Sequence, residues 1–145
     1  MKIIIDTNVL ISCFAFNRVP QLMMNKWVDF DGIQAYYSTQ IWFEINQKFL
    51  EGRLDTIFKK SKREINQSKV KEFLKQLTKN TLVIKNISRT VDICRDPKDN
   101  MILELAAEIE ADYIITGDKD LLVLAKFAKT RIVSPQQFLE VLGNK

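Results

Sequence analysis

The chain has 145 residues, of which 46% are hydrophobic and 28% charged, and a formal net charge of +4. These proportions are ordinary for a globular protein of this size, and we expect residues 1–145 to form a single domain. The sequence contains no histidine. This excludes serine–histidine and cysteine–histidine catalysis, a histidine base and zinc bound by histidine.

No apolar run approaches the roughly 20 residues that span a bilayer, and no signal-peptide pattern is present. We therefore expect a cytoplasmic protein without a membrane anchor. The two cysteines, Cys13 and Cys94, are far apart and form no metal-binding motif, which favours reduced thiols. An enzyme of this composition must work through carboxylates, lysines or hydroxyls, and such groups suit a hard metal ion.

Short apolar runs alternate with helical patterns along the chain, which is typical of βαβ units. Strands are predicted at 2–5, 34–38, 82–85, 113–116 and 131–133. Helices are predicted at 7–14, 20–30, 39–51, 64–79, 97–110, 119–127 and 135–142, and a further helical turn could form near 54–60. The right-handed crossover rule then predicts an α/β fold, a three-layer α/β/α sandwich around a mostly parallel sheet.

Two acids follow apolar strands near opposite ends of the chain. The run KIII ends at Asp6, and the run YIITG ends at Asp118. Such runs are typical of parallel strands buried on both faces, and ligands gather at the carboxyl ends of such strands. A buried carboxylate needs a partner, and a metal ion is a strong one. The two acids therefore suggest a metal site.

Two predicted helices carry a carboxylate beside their buried face. Asp96 has the features of an N-cap, with Pro97 at the first helical position. Asp99 then falls in the first turn, next to the stripe of core residues. Glu44 stands in the same relation to the buried face of the helix that starts at Thr39. We expect both carboxylates to lie close to the protein interior.

Each acid also has a purely structural explanation. Asp6 and Asp118 could cap the helices that follow their strands, and Asp99 could complement a helix dipole. Glu44 could form a surface ion pair with Lys48, four residues later. One acid alone decides nothing between structure and function. Four acids near strand ends or core-facing edges favour a shared site.

Positive charge is concentrated in the middle of the chain. Between Lys48 and Lys79 there are ten lysines or arginines and four acids. A basic flank beside an acidic remainder suits a polyanionic substrate that is processed at an acid cluster. A solvated helical face explains the same charges, so this feature has two readings.

Four separated blocks resemble the PIN-domain family of ribonucleases, most closely the branch of toxins from toxin–antitoxin pairs. They are DTNVL at residues 6–10, Glu44, DPKDN at 96–100 and TGDKD at 116–120. The resemblance covers essentially the whole chain. It implies a mostly parallel five-stranded sheet of order 3-2-1-4-5, an RNA substrate, a small antitoxin partner and a homodimer.

The resemblance also implies a set of catalytic residues, namely Asp6, Glu44, Asp99 and Asp118. Asp6, Asp99 and Asp118 are expected to bind metal, and Glu44 to bind metal or to orient water. Oxygen ligands favour Mg²⁺ or Mn²⁺, which can activate water and stabilise a leaving oxygen without histidine. The expected supporting residues are Asn8, Thr116, Asp96 and Asp120. The residues expected to guide RNA are Lys59, Lys60, Lys62 and Arg63.

Two other functions stay open at this point. A phosphatase of the haloacid-dehalogenase type also has an acid after its first strand, and GDKD resembles its metal-binding end. That family needs a second aspartate two residues later, where this chain has Asn8. A non-catalytic module could use the basic segment to bind RNA or a partner. Four intact acids argue against such a module, because an unused cluster of like charges only lowers stability.

Overall fold

A computed structural model describes residues 1–15, 19–50 and 66–143. The strands are β1 (Lys2–Ile5), β2 (Gln34–Ser38), β3 (Thr81–Ile84), β4 (Tyr113–Ile115), β5 (Lys126–Phe127) and β6 (Thr130–Val133). The helices are α1 (Thr7–Ala15), α2 (Val19–Val28), α3 (Thr39–Leu50), α4 (Gln67–Lys79), α5 (Pro97–Ile109), α6 (Lys119–Leu122) and α7 (Pro135–Gly143). The helical turn expected near 54–60 lies outside the described residues.

The strands form one sheet of order β3-β2-β1-β4-β6-β5. All neighbouring strands are parallel except β5 and β6, which are antiparallel. The predicted α/β class and mostly parallel sheet are confirmed. The five predicted strands follow the predicted order with β6 as the fifth, but the order of the described sheet differs by an additional edge strand, β5. Ile3, Ile4 and Ile5 are all fully buried. Because successive side chains of a strand point to opposite faces, both faces of the sheet are covered at β1.

The predicted helix at 119–127 is wrong after residue 122, and the sheet has six strands in place of five. Ala125 and Ala128 have left-handed backbone conformations, with φ of 59° and 50°. A left-handed alanine cannot continue a helix. The chain instead turns into β5, which pairs with β6 as a short hairpin. These turns contain no Gly, Asn or Pro, so the sequence has no residue here that typically indicates a turn.

The predicted helix at 64–79 begins later than expected. Asn66 has an extended backbone, with φ −97° and ψ 109°, and its side chain accepts hydrogen bonds from the amides of Ser68 and Lys69. This N-cap starts α4 at Gln67.

The helices are held against the sheet by their apolar faces. Phe14, Phe49 and Phe73 join α1, α3 and α4 in an aromatic cluster with ring centroids 5.2–6.0 Å apart. The predicted core stripe of α5 is buried, and it consists of Ile102, Leu105, Ala106 and Ile109. These contacts fix the first turns of α3 and α5 near the carboxyl ends of β1 and β4.

Candidate active site

The carboxyl ends of β1 and β4 bring Asp6 and Thr116 side by side. Ile5 is in register with Ile115, and the Asp6 amide donates to the Ile115 carbonyl over 2.9 Å. The Thr116 hydroxyl donates to Asp6 Oδ2 over 2.8 Å. Thr116 is completely buried, so its hydroxyl holds the Asp6 carboxylate in a defined position.

The loop after β4 carries Asp118 and Asp120. The Asp118 amide donates to Thr116 Oγ1 over 3.0 Å. Asp118 Oδ1 accepts from the Asp120 amide over 2.9 Å and caps α6, as its structural explanation predicted. Since the Thr116 hydroxyl contacts both the Asp6 carboxylate and the Asp118 backbone, it ties these two acids together.

The start of α5 is as predicted from the sequence. Asp96 is the N-cap, and its Oδ1 accepts from the Lys98 amide over 2.9 Å, while Pro97 occupies the first turn. Asp99 follows in the first turn and is only 5% exposed. Its Oδ2 is buried and makes no hydrogen bond. A buried carboxylate oxygen without a partner is costly, and a bound cation would satisfy it.

Glu44 projects from α3 into a small ion-pair network. Its Oε1 lies 3.1 Å from Lys48 Nζ and 2.8 Å from Lys98 Nζ. The pair with Lys48 was predicted from the spacing on α3. The pair with Lys98 joins residues 54 positions apart in the sequence, so it depends on the tertiary fold.

These side chains line one cavity of about 180 Å³. Its charged and amide lining consists of Asp6, Asn8, Glu44, Lys48, Asp96, Lys98, Asp99 and Asp118. All four residues of the expected catalytic set therefore converge on one space. A larger cavity of about 530 Å³ lies beside Phe14, Met24 and Phe73, and none of the candidate site residues that the structure describes lines it.

Among the described residues, the carboxylates of Asp99, Asp118 and Asp120 form a group that could hold a metal ion. Each can offer one oxygen, and these oxygens lie within 4.8 Å of one another. Asp120 was expected to play a supporting part, whereas here it joins the acids that could hold a metal ion. Asp6 was expected to be a ligand, and it lines the cavity beside this group. Its role as a ligand stays a prediction.

Burial and like charge act against ionisation in the cavity. Burial raises the pKa of Asp99 to about 6, and the carboxylates of Asp118 and Asp96 add to the effect. Burial also raises the pKa of Asp6, although the hydrogen bond from Thr116 opposes this change. Without a cation the site therefore holds its full negative charge only at a cost in free energy.

Glu44 behaves differently from the aspartates. Burial alone would raise the pKa of Glu44, but hydrogen bonds from Lys98 and Lys48 outweigh burial and lower it. Glu44 already has two cationic partners, so its charge is compensated without a metal ion.

Lys98 and Arg95 were not predicted to belong to the site. Arg95 Nη2 contacts both carboxylate oxygens of Asp120, at 2.8 and 3.0 Å. The signal that could have indicated both cations was their position in the RDPKDN block, on either side of the Asp96 cap. The four residues expected to guide RNA, from Lys59 to Arg63, lie outside the described residues.

The sequence is similar to proteins of a known family. The family profile described as PIN domain matches residues 2–120. The chain belongs to the PIN-domain family. It is also similar to an uncharacterized protein of Methanocaldococcus jannaschii, with 31% identity over 149 aligned positions that cover 97% of this chain and 90% of the relative.

PIN domains are generally nucleases that bind RNA and use divalent metal ions, so family membership indicates a nuclease. In this chain, the carboxylates of Asp99, Asp118 and Asp120 are close enough to one another to hold such an ion. Among the functions left open by the sequence, the family therefore supports the nuclease. Within the described part of the chain, no helix has the length and apolar character needed to cross a membrane.

Proposed function

We propose that this PIN-domain protein is an endoribonuclease that hydrolyses RNA phosphodiester bonds with the help of Mg²⁺ or Mn²⁺. One observation carries the proposal. Asp99 Oδ2 is buried without a hydrogen-bond partner, in a cavity lined by four further carboxylates. An arrangement that is costly when empty of cations becomes favourable when a divalent ion neutralises it.

The donor set fits a hard divalent ion. The oxygens of Asp99, Asp118 and Asp120 lie within 4.8 Å of one another, and carboxylate oxygens are ligands that Mg²⁺ and Mn²⁺ accept. We propose Asp6, Asp99 and Asp118 as metal ligands, with Asp120 at the outer edge of the site. When bound, the ion would lower the pKa of water and stabilise negative charge on the phosphate.

The remaining residues position the substrate and the acids. Thr116 keeps the Asp6 carboxylate aimed into the cavity through its 2.8 Å hydrogen bond. Glu44 stays ionised because Lys98 and Lys48 lower its pKa, so it can accept a hydrogen bond from the attacking water and orient it. The Asn8 amide faces the same cavity and can donate to a phosphate oxygen. Asp96 caps α5 and so holds Asp99 in place.

We also propose the biological role that the toxin-like sequence blocks support. The protein would be a toxin that a small antitoxin neutralises, acting as a homodimer in which each chain is one catalytic domain. Because its substrate would be cellular RNA, we place the activity in the cytoplasm. The basic residues Lys59, Lys60, Lys62 and Arg63 would guide RNA towards the cavity, since positive charge supplies affinity for phosphates.

Cleavage of RNA tests the proposed chemistry. Purified protein is incubated with structured and unstructured RNAs in Mg²⁺, in Mn²⁺ or in excess chelator. We expect cleavage that requires metal and that falls at least about 100-fold in Asp6→Asn. Asp31→Asn, an exposed acid outside the cavity, is the matched control and should cleave normally. Cleavage that survives chelation, or that is equal in both variants, would refute the mechanism.

Metal binding has a second readout that does not depend on cleavage. Thermal unfolding is followed while Mn²⁺ is added to the chelator-stripped protein. A ligand that binds only the folded state stabilises it by about 2.7 kcal/mol at 100 times its Kd, so Tm should rise for the wild type and for Asp31→Asn. An unchanged Tm together with RNA binding but no cleavage would favour the non-catalytic RNA-binding module.

A further inference from the structure

Lys48 and Lys98 both line the acid cavity. Among the described residues, five carboxylates and two lysines line the cavity, so these groups present an excess of negative charge to an approaching RNA phosphate. The two lysines, Lys48 and Lys98, share one acceptor atom, Glu44 Oε1. Two cations on one carboxylate oxygen are more than charge neutralisation of Glu44 requires.

The two lysines differ in exposure. The Lys48 side chain is 21% exposed, whereas the Lys98 side chain is 62% exposed. Lys48 lies four residues after Glu44 on α3, so it can keep Glu44 paired by itself. Lys98 approaches from the first turn of α5, immediately before the buried Asp99. Of the pair, Lys98 is therefore the one that can turn its ammonium towards a ligand from solvent without leaving Glu44 unpaired.

We propose that Lys98 is a phosphate-binding residue of the substrate site, which moves from Glu44 to an RNA phosphate while Lys48 continues to neutralise Glu44. This inference rests on the proposed ribonuclease function and adds a residue to it. The exchange suits lysine, because its ammonium sits on a flexible stem of four carbons. It replaces one charge-assisted hydrogen bond by another, from N–H donors to a phosphate oxygen.

A merely structural role for Lys98 predicts a different dependence on Glu44. If Lys98 acted only as the counterion of Glu44, its removal would have no effect on RNA binding once Glu44 is neutral. If Lys98 contacts phosphate, its removal weakens binding whether or not Glu44 carries a charge. Replacing Glu44 by glutamine therefore distinguishes a phosphate-binding role of Lys98 from a role as the counterion of Glu44.

The experiment measures RNA binding without cleavage. The parent is the double variant Asp6→Asn/Glu44→Gln, which should bind a fluorescent single-stranded RNA in Mg²⁺ without cutting it. Lys98→Ala and Lys98→Arg are added to this parent, and fluorescence anisotropy is recorded over a range of salt concentrations. Lys129→Ala is the matched control, because Lys129 is also an exposed lysine paired with one glutamate, Glu110, at 3.2 Å.

The loss of one phosphate contact should change the salt dependence of RNA binding by a known amount. The slope of log K against log salt should become shallower by about 0.7 for Lys98→Ala, and affinity should fall about 3- to 10-fold at low salt. Lys98→Arg and Lys129→Ala should keep the parent slope. A slope that Lys98→Ala leaves unchanged overturns the inference while wild-type cleavage still supports the ribonuclease. If neither the parent variant nor the wild type binds RNA, both the inference about Lys98 and the proposed ribonuclease function are refuted.

Discussion

Replacing Asp99 by asparagine should stabilise the metal-free protein, although it removes a residue of the proposed active site. Asp99 is 5% exposed, its Oδ2 makes no hydrogen bond, and the neighbouring acids repel its charge. Asparagine has nearly the same shape and no charge, and its amide can donate to the Asp118 carboxylate. The substitution thus removes an unfavourable charge without opening a void.

The magnitude follows from the raised pKa. The pKa of Asp99 rises from 3.8 to about 6, and one pKa unit corresponds to about 1.4 kcal/mol. The ionised side chain therefore costs the metal-free fold about 3 kcal/mol at most. Because water in the open cavity screens part of this cost, we expect Asp99→Asn to gain about 1–2 kcal/mol at neutral pH. For a chain of this length, Tm should rise by about 3–6 °C.

The pH dependence has a definite sign. Folded Asp99 keeps its proton to higher pH than unfolded Asp99, so its neutral form favours folding at low pH. This contribution is lost as the pH rises from about 4 to about 6, after which it is constant. The gain of Asp99→Asn over the wild type should therefore grow across that window and then level off.

The assay is thermal unfolding of the chelator-stripped wild type, Asp99→Asn and Asp31→Asn between about pH 4 and pH 8. In saturating Mn²⁺ the wild type should have a higher Tm than Asp99→Asn, because the wild type gains binding free energy that the variant loses in part. Asp31→Asn should follow the wild type in both conditions. A lower Tm for Asp99→Asn in chelator, or the same pH profile as the wild type, would show that Asp99 is not an unsatisfied acid.

Two further predictions concern Thr116 and the β5–β6 hairpin. Thr116→Val removes the hydroxyl that binds Asp6 Oδ2 and the Asp118 amide, so it should lower the free energy of unfolding by about 1–3 kcal/mol and RNA cleavage by about 10- to 100-fold. Thr116→Ser should retain most of both, and equal activity of the two variants would contradict this role. Ala125→Gly should raise the free energy of unfolding by about 0.5–1 kcal/mol in urea titrations, because Ala125 has φ 59° and glycine adopts that conformation without strain. Ala107→Gly, inside α5, should instead lower the free energy of unfolding by about 1 kcal/mol. If Ala125→Gly and Ala107→Gly lowered it equally, residue 125 would be helical.

The elements that local sequence could predict are those with strong local signals. Ile3–Ile5 identify a strand buried on both faces, and the Asp96-Pro97 cap starts α5 at the predicted residue. The β5–β6 hairpin was missed because its turns use left-handed alanines. Alanine favours helix, and only the pairing of β5 with β6 in the tertiary structure overrides that preference.

The candidate site also has features that the sequence indicated and features that depend on the tertiary structure. The sequence by itself indicated carboxylates after strands, at a helix cap and beside core-facing helix stripes, because these positions follow from local periodicity and capping. The resemblance to PIN domains then selected the expected set of four acids. Only the tertiary structure decided how they meet. Thr116 reaches Asp6 across 110 positions in the sequence, and Lys98 reaches Glu44 across 54. Such contacts follow from strand order and helix packing, and these depend on burial of the whole sheet rather than on any local pattern.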